Sequence, residues 1–449
     1  MDPTWPPLHK LIMEQKADAI AKVEPRLVTG AGRGLFATME IDPLQTLVSI
    51  PGCLLLNTKT LGKAYPHRML PQKSSEDAPK DMPLTSTQLI SLHLYRWRRG
   101  VSDPIFEAYI HSLPNAFPDH PLTIIIFHKT KNSILDLLPT SVAKLLIGVK
   151  KRLTDDWDMI TKTLKKFPEL LPPLDLGSNW DKRLHFADFV WAWLNVNTRC
   201  LYHDLGLLRS EDNITMCPLL DFANHTPLQS MSITQDGFAL CDGMAFSSST
   251  HLQPGEEVYL RYGGHSNALL FAEYGFVFPT NTGDARAEIS IDSDVEELLK
   301  SCGDYEAKAQ LLKDRNYWGD WTLHVEDGIG RPSFRLLPAL RLLHVPSLAP
   351  VPNRSLELWE NTLLGLVDVV STENESQVRS SMKTLCKRII DRSALKISLV
   401  QFQISVNGHG AGDRDKDYLQ VLRMAKILWE EEGQVAELVE NSIVGGVQF

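Results

Sequence analysis

The chain has 449 residues, too many for one ordinary core, so two or three domains are expected. Hydrophobic residues make up 43% and charged residues 22%, enough to bury real cores, which excludes a largely disordered or fibrous protein. With 46 Lys plus Arg against 55 Asp plus Glu the formal charge is -9, so the protein is not built as a nucleic-acid cation.

The first residues, Met1 to Pro7, lack the basic start and apolar run of a secretory signal. The longest apolar run, Leu122 to Phe127, is far below the roughly 18 residues of a membrane span and reads as a buried strand or helix segment. A soluble protein is expected. Cys53, Cys200, Cys217, Cys241, Cys302 and Cys386 are scattered, which argues against a disulfide framework and a Cys-rich zinc cluster and fits the cytoplasm, the nucleus or both.

From Arg26 to Pro51 the chain reads as short strands around the glycine cluster Gly30 to Gly34. Tyr65 to Pro83 reads as an exposed loop, and Thr85 as the cap of a helix carrying Leu89, Leu92 and Trp97. Asp181 to Tyr202 reads as an amphipathic helix, with Phe186, Phe189, Val190, Trp193 and Leu194 on one stripe and Asn195, Thr198, Arg199 and Tyr202 on a polar one. Short strand and turn segments follow as far as Leu260. Beyond Asp292 the pattern is helical, with one helix through Leu356, Trp359, Leu363, Leu366 and Val367 and another through Tyr418, Leu422 and Trp429.

Four segments carry candidate chemistry, each beside a plainer reading. The glycine cluster excludes a dinucleotide turn, because Leu35 to Thr38 continues as a strand where a Rossmann turn needs a helix; alone it is a hairpin turn first and a backbone cradle second. Asn224 and His225 are ordinary loop formers that can also present groups to a polar ligand. No second ligand stands at metal spacing from His225, so no metal is expected. Arg199 on an otherwise apolar helix needs an anion, either a protein carboxylate or a ligand carboxylate. Tyr262, at the end of a strand and before Gly263-Gly264, packs inward with its hydroxyl seeking a partner.

In chain order, Gly32-Arg33-Gly34-Leu35, Asn197-Thr198-Arg199, Asp221 to Thr226, Tyr262 to Asn267 and Ala272 to Phe276 resemble the motifs of SET-domain protein methyltransferases. The layout resembles the branch typified by the Rubisco large-subunit lysine methyltransferase. This resemblance implies an α+β chain: a β-rich SET fold with a pseudo-knot, interrupted by a helical insertion and followed by an all-α C-terminal domain. The implied boundaries are 22–56 and 181–280 for the two SET parts, 57–180 for the insertion and 292–449 for a helical substrate-binding domain. It also implies S-adenosylmethionine as cofactor, contacted by Ala31, Gly32 and Arg33, with Arg199 on its carboxylate, Asn224 and His225 on its amino-acid and adenine ends, and Phe276 on its adenine. Tyr262 would be the catalytic tyrosine and a further cofactor contact, with Thr198, Asp221 and Tyr274 lining the substrate channel.

The implied activity is protein-lysine N-methylation of a non-histone substrate, by analogy a ribosomal or translation protein, without direct nucleic-acid or membrane contact and by a monomer. The zinc clusters of histone-directed relatives are missing from the sequence. Lysine, with a reference pKa near 10.4, must be deprotonated to attack a methyl group. Tyr262 is expected to orient the amine and not to act as a base. Two alternatives stand beside this reading: methyl transfer to a histidine ring, and a non-catalytic adaptor that keeps the fold.

Overall fold

The structure, a computed structural model, describes residues 2–15, 20–28, 32–73, 83–128, 134–171, 182–228, 233–235, 243–279, 287–348, 353–408 and 413–449. The chain divides into two compact units, Met1–Phe117 with Lys150–Gly264 and Pro118–Val149 with His265–Phe449.

In the first unit, Val23–Val28 and Gly32–Ala37 form an antiparallel hairpin with Val28 opposite Gly32. Gly32 takes φ +78, a left-handed backbone that a glycine adopts without steric penalty. The glycine cluster therefore leads into a strand. Glu257–Leu260 pairs antiparallel with Gly32–Ala37 and parallel with Asn224–His225. Parallel neighbours need a long crossover. Here the crossover runs through a second sheet, ordered Ile20–Ala21, Thr46–Ile50, Met244–Ser248, Ile233–Gln235. Stretches far apart in sequence thus lie side by side, with Tyr259 in register with Asn224 and Leu260 with His225.

Helix Ser86–Arg98 starts at a full capping box: Gln88 N–H donates to Thr85 Oγ1 at 3.2 Å and Thr85 N–H to Gln88 Oε1 at 3.0 Å. It packs on Lys182–Arg199. Phe189 to Val196 of that second helix are buried all round, Asn195 included. The two-stripe expectation gives way to a helix enclosed by neighbours. Tyr202 leaves the polar stripe because the helix ends at Arg199 and Cys200–Tyr202 pairs as a strand with Ile214–Met216. The Tyr65 to Pro83 stretch is no simple exposed loop either. Tyr65 and Met69 are buried, with the Tyr65 hydroxyl 3.1 Å from His93 Nδ1; residues 74–82 lie outside the described residues.

In the second unit the run Leu122 to Phe127 is a helix, Pro121–Phe127, with proline at its start and His120 Nδ1 accepting from Leu122 N–H at 3.1 Å. The C-terminal region is helical from Leu336 onward, ending in the long pair Thr372–Gly408 and Asp413–Val444. It also holds a three-stranded antiparallel sheet of Glu288–Ser290, Thr322–Glu326 and Ile329–Pro332, where only helices were expected. The Asp327-Gly328 turn, with φ of 50 and 77, closes the hairpin. At Gly330 an added Cβ would fall 2.3 Å from Val439 N, so the strand lies directly on helix Asp413–Val444. Helix Arg354–Leu363 stops short of Leu366, which is exposed. No helix among the described residues is long and apolar enough to cross a membrane.

Candidate active site

Arg33, in the glycine strand, is fixed at its side chain by the N-terminal segment. Its Nε lies 2.5 Å from Asp2 Oδ2, its Nη1 donates to Ser112 O, and its guanidinium carbon sits 4.6 Å from the Phe222 ring centroid. Asp2 in turn accepts from Thr4 N–H and Oγ1–H at 2.8 and 2.7 Å. With the side chain so committed, Arg33 offers a ligand its backbone.

Arg199 ends its helix beside Asp221. Its Nη1 donates to Asp221 O at 2.7 Å and to Asp221 Oδ2 at 3.2 Å, while the Tyr109 hydroxyl donates to the same Oδ2 at 3.0 Å. The anion beside Arg199 is thus a protein carboxylate. Burial raises the Asp221 carboxyl above the usual range, against the opposing pull of Arg199 and the Tyr109 hydroxyl. Burial, and then the charge of Asp221, raise the Tyr109 phenol. Two atoms stay open: Arg199 Nε and Asp221 Oδ1 are buried and have no hydrogen-bond partner among the described residues. Leu219, with φ 72, turns the chain just before this acid.

Asn224 and His225 form a short strand beside Glu257–Leu260. Asn224 Nδ2 donates to Glu257 Oε1 at 2.6 Å. Tyr262 lies just past the strand end, and its N–H donates to His225 Nδ1 at 3.1 Å. The same Nδ1 lies 3.4 Å from Leu260 O. The two rings stack at 4.9 Å and 28°, and the Tyr262 hydroxyl donates to Ala223 O at 2.9 Å. Tyr262 is half-buried, while Val258 and Leu260 before it are buried.

The first unit therefore links His225 with Tyr262, Asn224 with Glu257, and Arg199 with Asp221. Gly32 and Arg33 sit in the strand next to Glu257–Leu260. Thr198 turns its hydroxyl back to Leu194 O at 2.7 Å, within its own helix. Tyr274 and Phe276 belong to the second unit, in an aromatic row with His265 and Phe278. Gly275 between them has φ +80, and an added Cβ would meet His120 Cδ2 at 2.6 Å. Ala31 lies outside the described residues. Among the described residues no group of three His, Cys, Asp or Glu could hold a metal ion.

Three further residues take part: Asp2, Tyr109 and Glu257. Asp2-Pro3-Thr4 carried a signal, since an Asp two residues before a Thr is turn-forming. Tyr109 and Glu257 carried none, because their partners Asp221 and Asn224 stand 112 and 33 residues away.

No protein-family model matches the chain. It is 28% identical to the ribosomal lysine N-methyltransferase set11 of Schizosaccharomyces pombe, over 72% of this chain and 70% of that protein. It is 26% identical to SET domain-containing protein 4 of Mus musculus, over 86% and 81%. Its fold matches a solved structure of Rubisco LSMT bound to AdoMet with a TM-score of 0.58 at 17% identity, covering 99% of this chain and 93% of that one. The chain is thus similar in sequence to SET-domain methyltransferases and shares the fold of Rubisco LSMT.

The residues of this SET fold suit a zwitterionic cofactor. The orphaned Arg199 Nε is a cationic donor for a carboxylate, and the Asn224 amide, with its nitrogen already bonded to Glu257, keeps an oxygen for an ammonium group. Next to them Gly32 has open space where a side chain would stand, so a ligand can approach its backbone closely.

Proposed function

We propose that the chain is an S-adenosylmethionine-dependent protein-lysine N-methyltransferase whose acceptor belongs to the translation machinery. The observation that carries this reading is the Tyr262 hydroxyl, fixed on Ala223 O beside the His225 ring. When bound, the cofactor supplies a methyl group on a cationic sulfur.

The backbone of Gly32 and Arg33, the Arg199 guanidinium, Asn224 and His225 would hold it. Within the first unit, Thr198 and Asp221 line the path of the lysine. Holding lysine neutral at pH 7 costs about 4 to 5 kcal/mol in water. A site with little water lowers that cost by disfavouring the ammonium. Because the Tyr262 O–H is spent on Ala223 O, the phenol oxygen can accept from the incoming amine and align its lone pair. The amine's proton leaves to solvent before attack, so Tyr262 positions the amine and takes no proton. The protein works as a monomer, in the cytoplasm, the nucleus or both, without direct nucleic-acid contact. The ribosomal assignment is supported by the activity in the names of its relatives.

The test is methylation of an extract from cells lacking this protein, with a labelled methyl donor. One labelled protein, modified on lysine by mass spectrometry, is expected. Tyr262→Phe should lower transfer by about 100-fold or more while S-adenosylhomocysteine still binds. Unchanged transfer in that variant removes the role of Tyr262; a label on histidine shifts the acceptor class; no affinity for the cofactor leaves the adaptor reading.

A further inference from the structure

Glu257 stands behind Asn224 and has no part in the roles above. We propose that Glu257 is a positioning residue that fixes which end of the Asn224 amide meets the cofactor and so selects a protonated amine there. The inference rests on the cofactor reading of Asn224.

An asparagine amide offers a donor end and an acceptor end, and which end faces a ligand depends on what holds the other. Here Asn224 Nδ2 donates to Glu257 Oε1 at 2.6 Å. The Tyr259 hydroxyl donates to Glu257 Oε2 at 2.9 Å. An ionised carboxylate only accepts, so the Asn224 nitrogen is turned toward Glu257 and the oxygen away from it. A charge-assisted bond to the amide N–H also draws electron density onto the amide oxygen, which becomes a better acceptor for a cationic donor. The pair thus favours an ammonium and disfavours a carboxylate at that point, the reverse of the preference at Arg199.

The surroundings keep the carboxylate in place. Gly34 has no side chain where one would collide with this pair: an added Cβ would fall 2.4 Å from Glu257 Oε1 and 3.1 Å from Asn224 Nδ2. Tyr259, opposite Asn224 in the parallel register, holds the second oxygen from the same strand as Glu257. Burial, then the bond to Glu257 and its charge, push the Tyr259 hydroxyl up to about 12, so it remains a donor at neutral pH.

The experiment is calorimetry on the full chain with two probes, S-adenosylhomocysteine and its deaminated analogue, which lacks only the α-amine. The wild-type chain should bind the first about 10- to 100-fold more tightly, the range of a hydrogen bond to a charged group. In Glu257→Ala that ratio should shrink to about 3-fold or less through loss of S-adenosylhomocysteine affinity alone. A general packing defect would weaken both probes equally, and that result, or an unchanged ratio, overturns the proposal while leaving the cofactor reading intact. A wild-type chain that binds neither probe overturns both. If Glu257→Ala does not fold, Glu257→Gln is measured the same way. A smaller fall in the ratio is then expected, and no fall overturns the proposal.

Discussion

Two glycines two positions apart in one strand are glycine for opposite reasons. Gly32 has a left-handed backbone and open space around it. Gly34 has no room: a Cβ would lie 2.4 Å from Glu257 Oε1 and 2.8 Å from Val28 Cγ2. Gly32→Ala should therefore lower stability by about 1 to 2 kcal/mol, through backbone strain alone. Gly34→Ala should cost about 1 to 3 kcal/mol by overpacking. Because the nearest atom it displaces belongs to Glu257, Gly34→Ala should also weaken S-adenosylhomocysteine as Glu257→Ala does. Urea denaturation and calorimetry on both variants check this; equal cofactor affinity in Gly34→Ala and wild type would break the link. At this scale the sequence was partly legible. Arg199, Asn224, His225 and Tyr262 stood out because a charged, amide or phenol group in apolar or glycine-rich surroundings needs a partner. Glu257 and Tyr109 look like ordinary residues until the fold brings Asn224 and Asp221 to them. The partner of Arg199 was open between protein and ligand carboxylates, and geometry decides for Asp221 while leaving Nε unspent.

Elements with local causes could be read in advance. The helix at Ser86 is announced by Thr85 and Gln88, whose reciprocal bonds need only residues three apart. The strand after the glycine cluster is announced by the β-forming residues that follow it. The sheet at Glu288 to Pro332 went unread although Asp327-Gly328 is a strong hairpin signal, because the helical pattern around it dominated. Its register against helix Asp413–Val444 has no local signal at all. It depends on one missing side chain, since Cβ at Gly330 would stand 2.3 Å from Val439 N and 2.4 Å from Leu438 C, backbone atoms that cannot swing aside. Gly330→Ala should thus cost about 3 kcal/mol, the upper end for overpacking. Gly328→Ala, with nothing within 4 Å of its added Cβ, should cost only about 1 kcal/mol from its turn geometry. Chemical denaturation followed by tryptophan emission separates the two, and equal losses would show that helix and strand part easily.

At the scale of the whole molecule, one contribution to stability against pH comes from a buried cluster in the second unit. Arg392 grips Asp294 with both ends, at 2.7 and 3.1 Å, while Glu432 Oε2 stands 3.7 Å away and is without a hydrogen-bond partner among the described residues. Glu431 accepts instead from Asn267 Nδ2 at 3.2 Å. Burial first, then the negative charges of Asp294 and Glu431, overcome Arg392 and push the Glu432 carboxyl up to about 8. An unfolded glutamate ionises near pH 4.3. Between those values the folded chain holds a proton that the unfolded chain has released. The stability from this group is complete below about pH 4.3, falls as pH rises, and is lost above about pH 8. Methyl transfer pulls the other way, because the neutral fraction of a lysine with pKa near 10.4 grows about tenfold per pH unit. Alkaline conditions that favour the chemistry therefore weaken the unit that holds Tyr274 and Phe276. Glu432→Gln, neutral at every pH, should melt close to wild type at pH 5 and clearly above it at pH 9, with the wild-type decline between them reduced. Scanning calorimetry at the two pH values measures the difference; a gap between variant and wild type that does not widen with pH would mean that Glu432 is ionised in the folded chain.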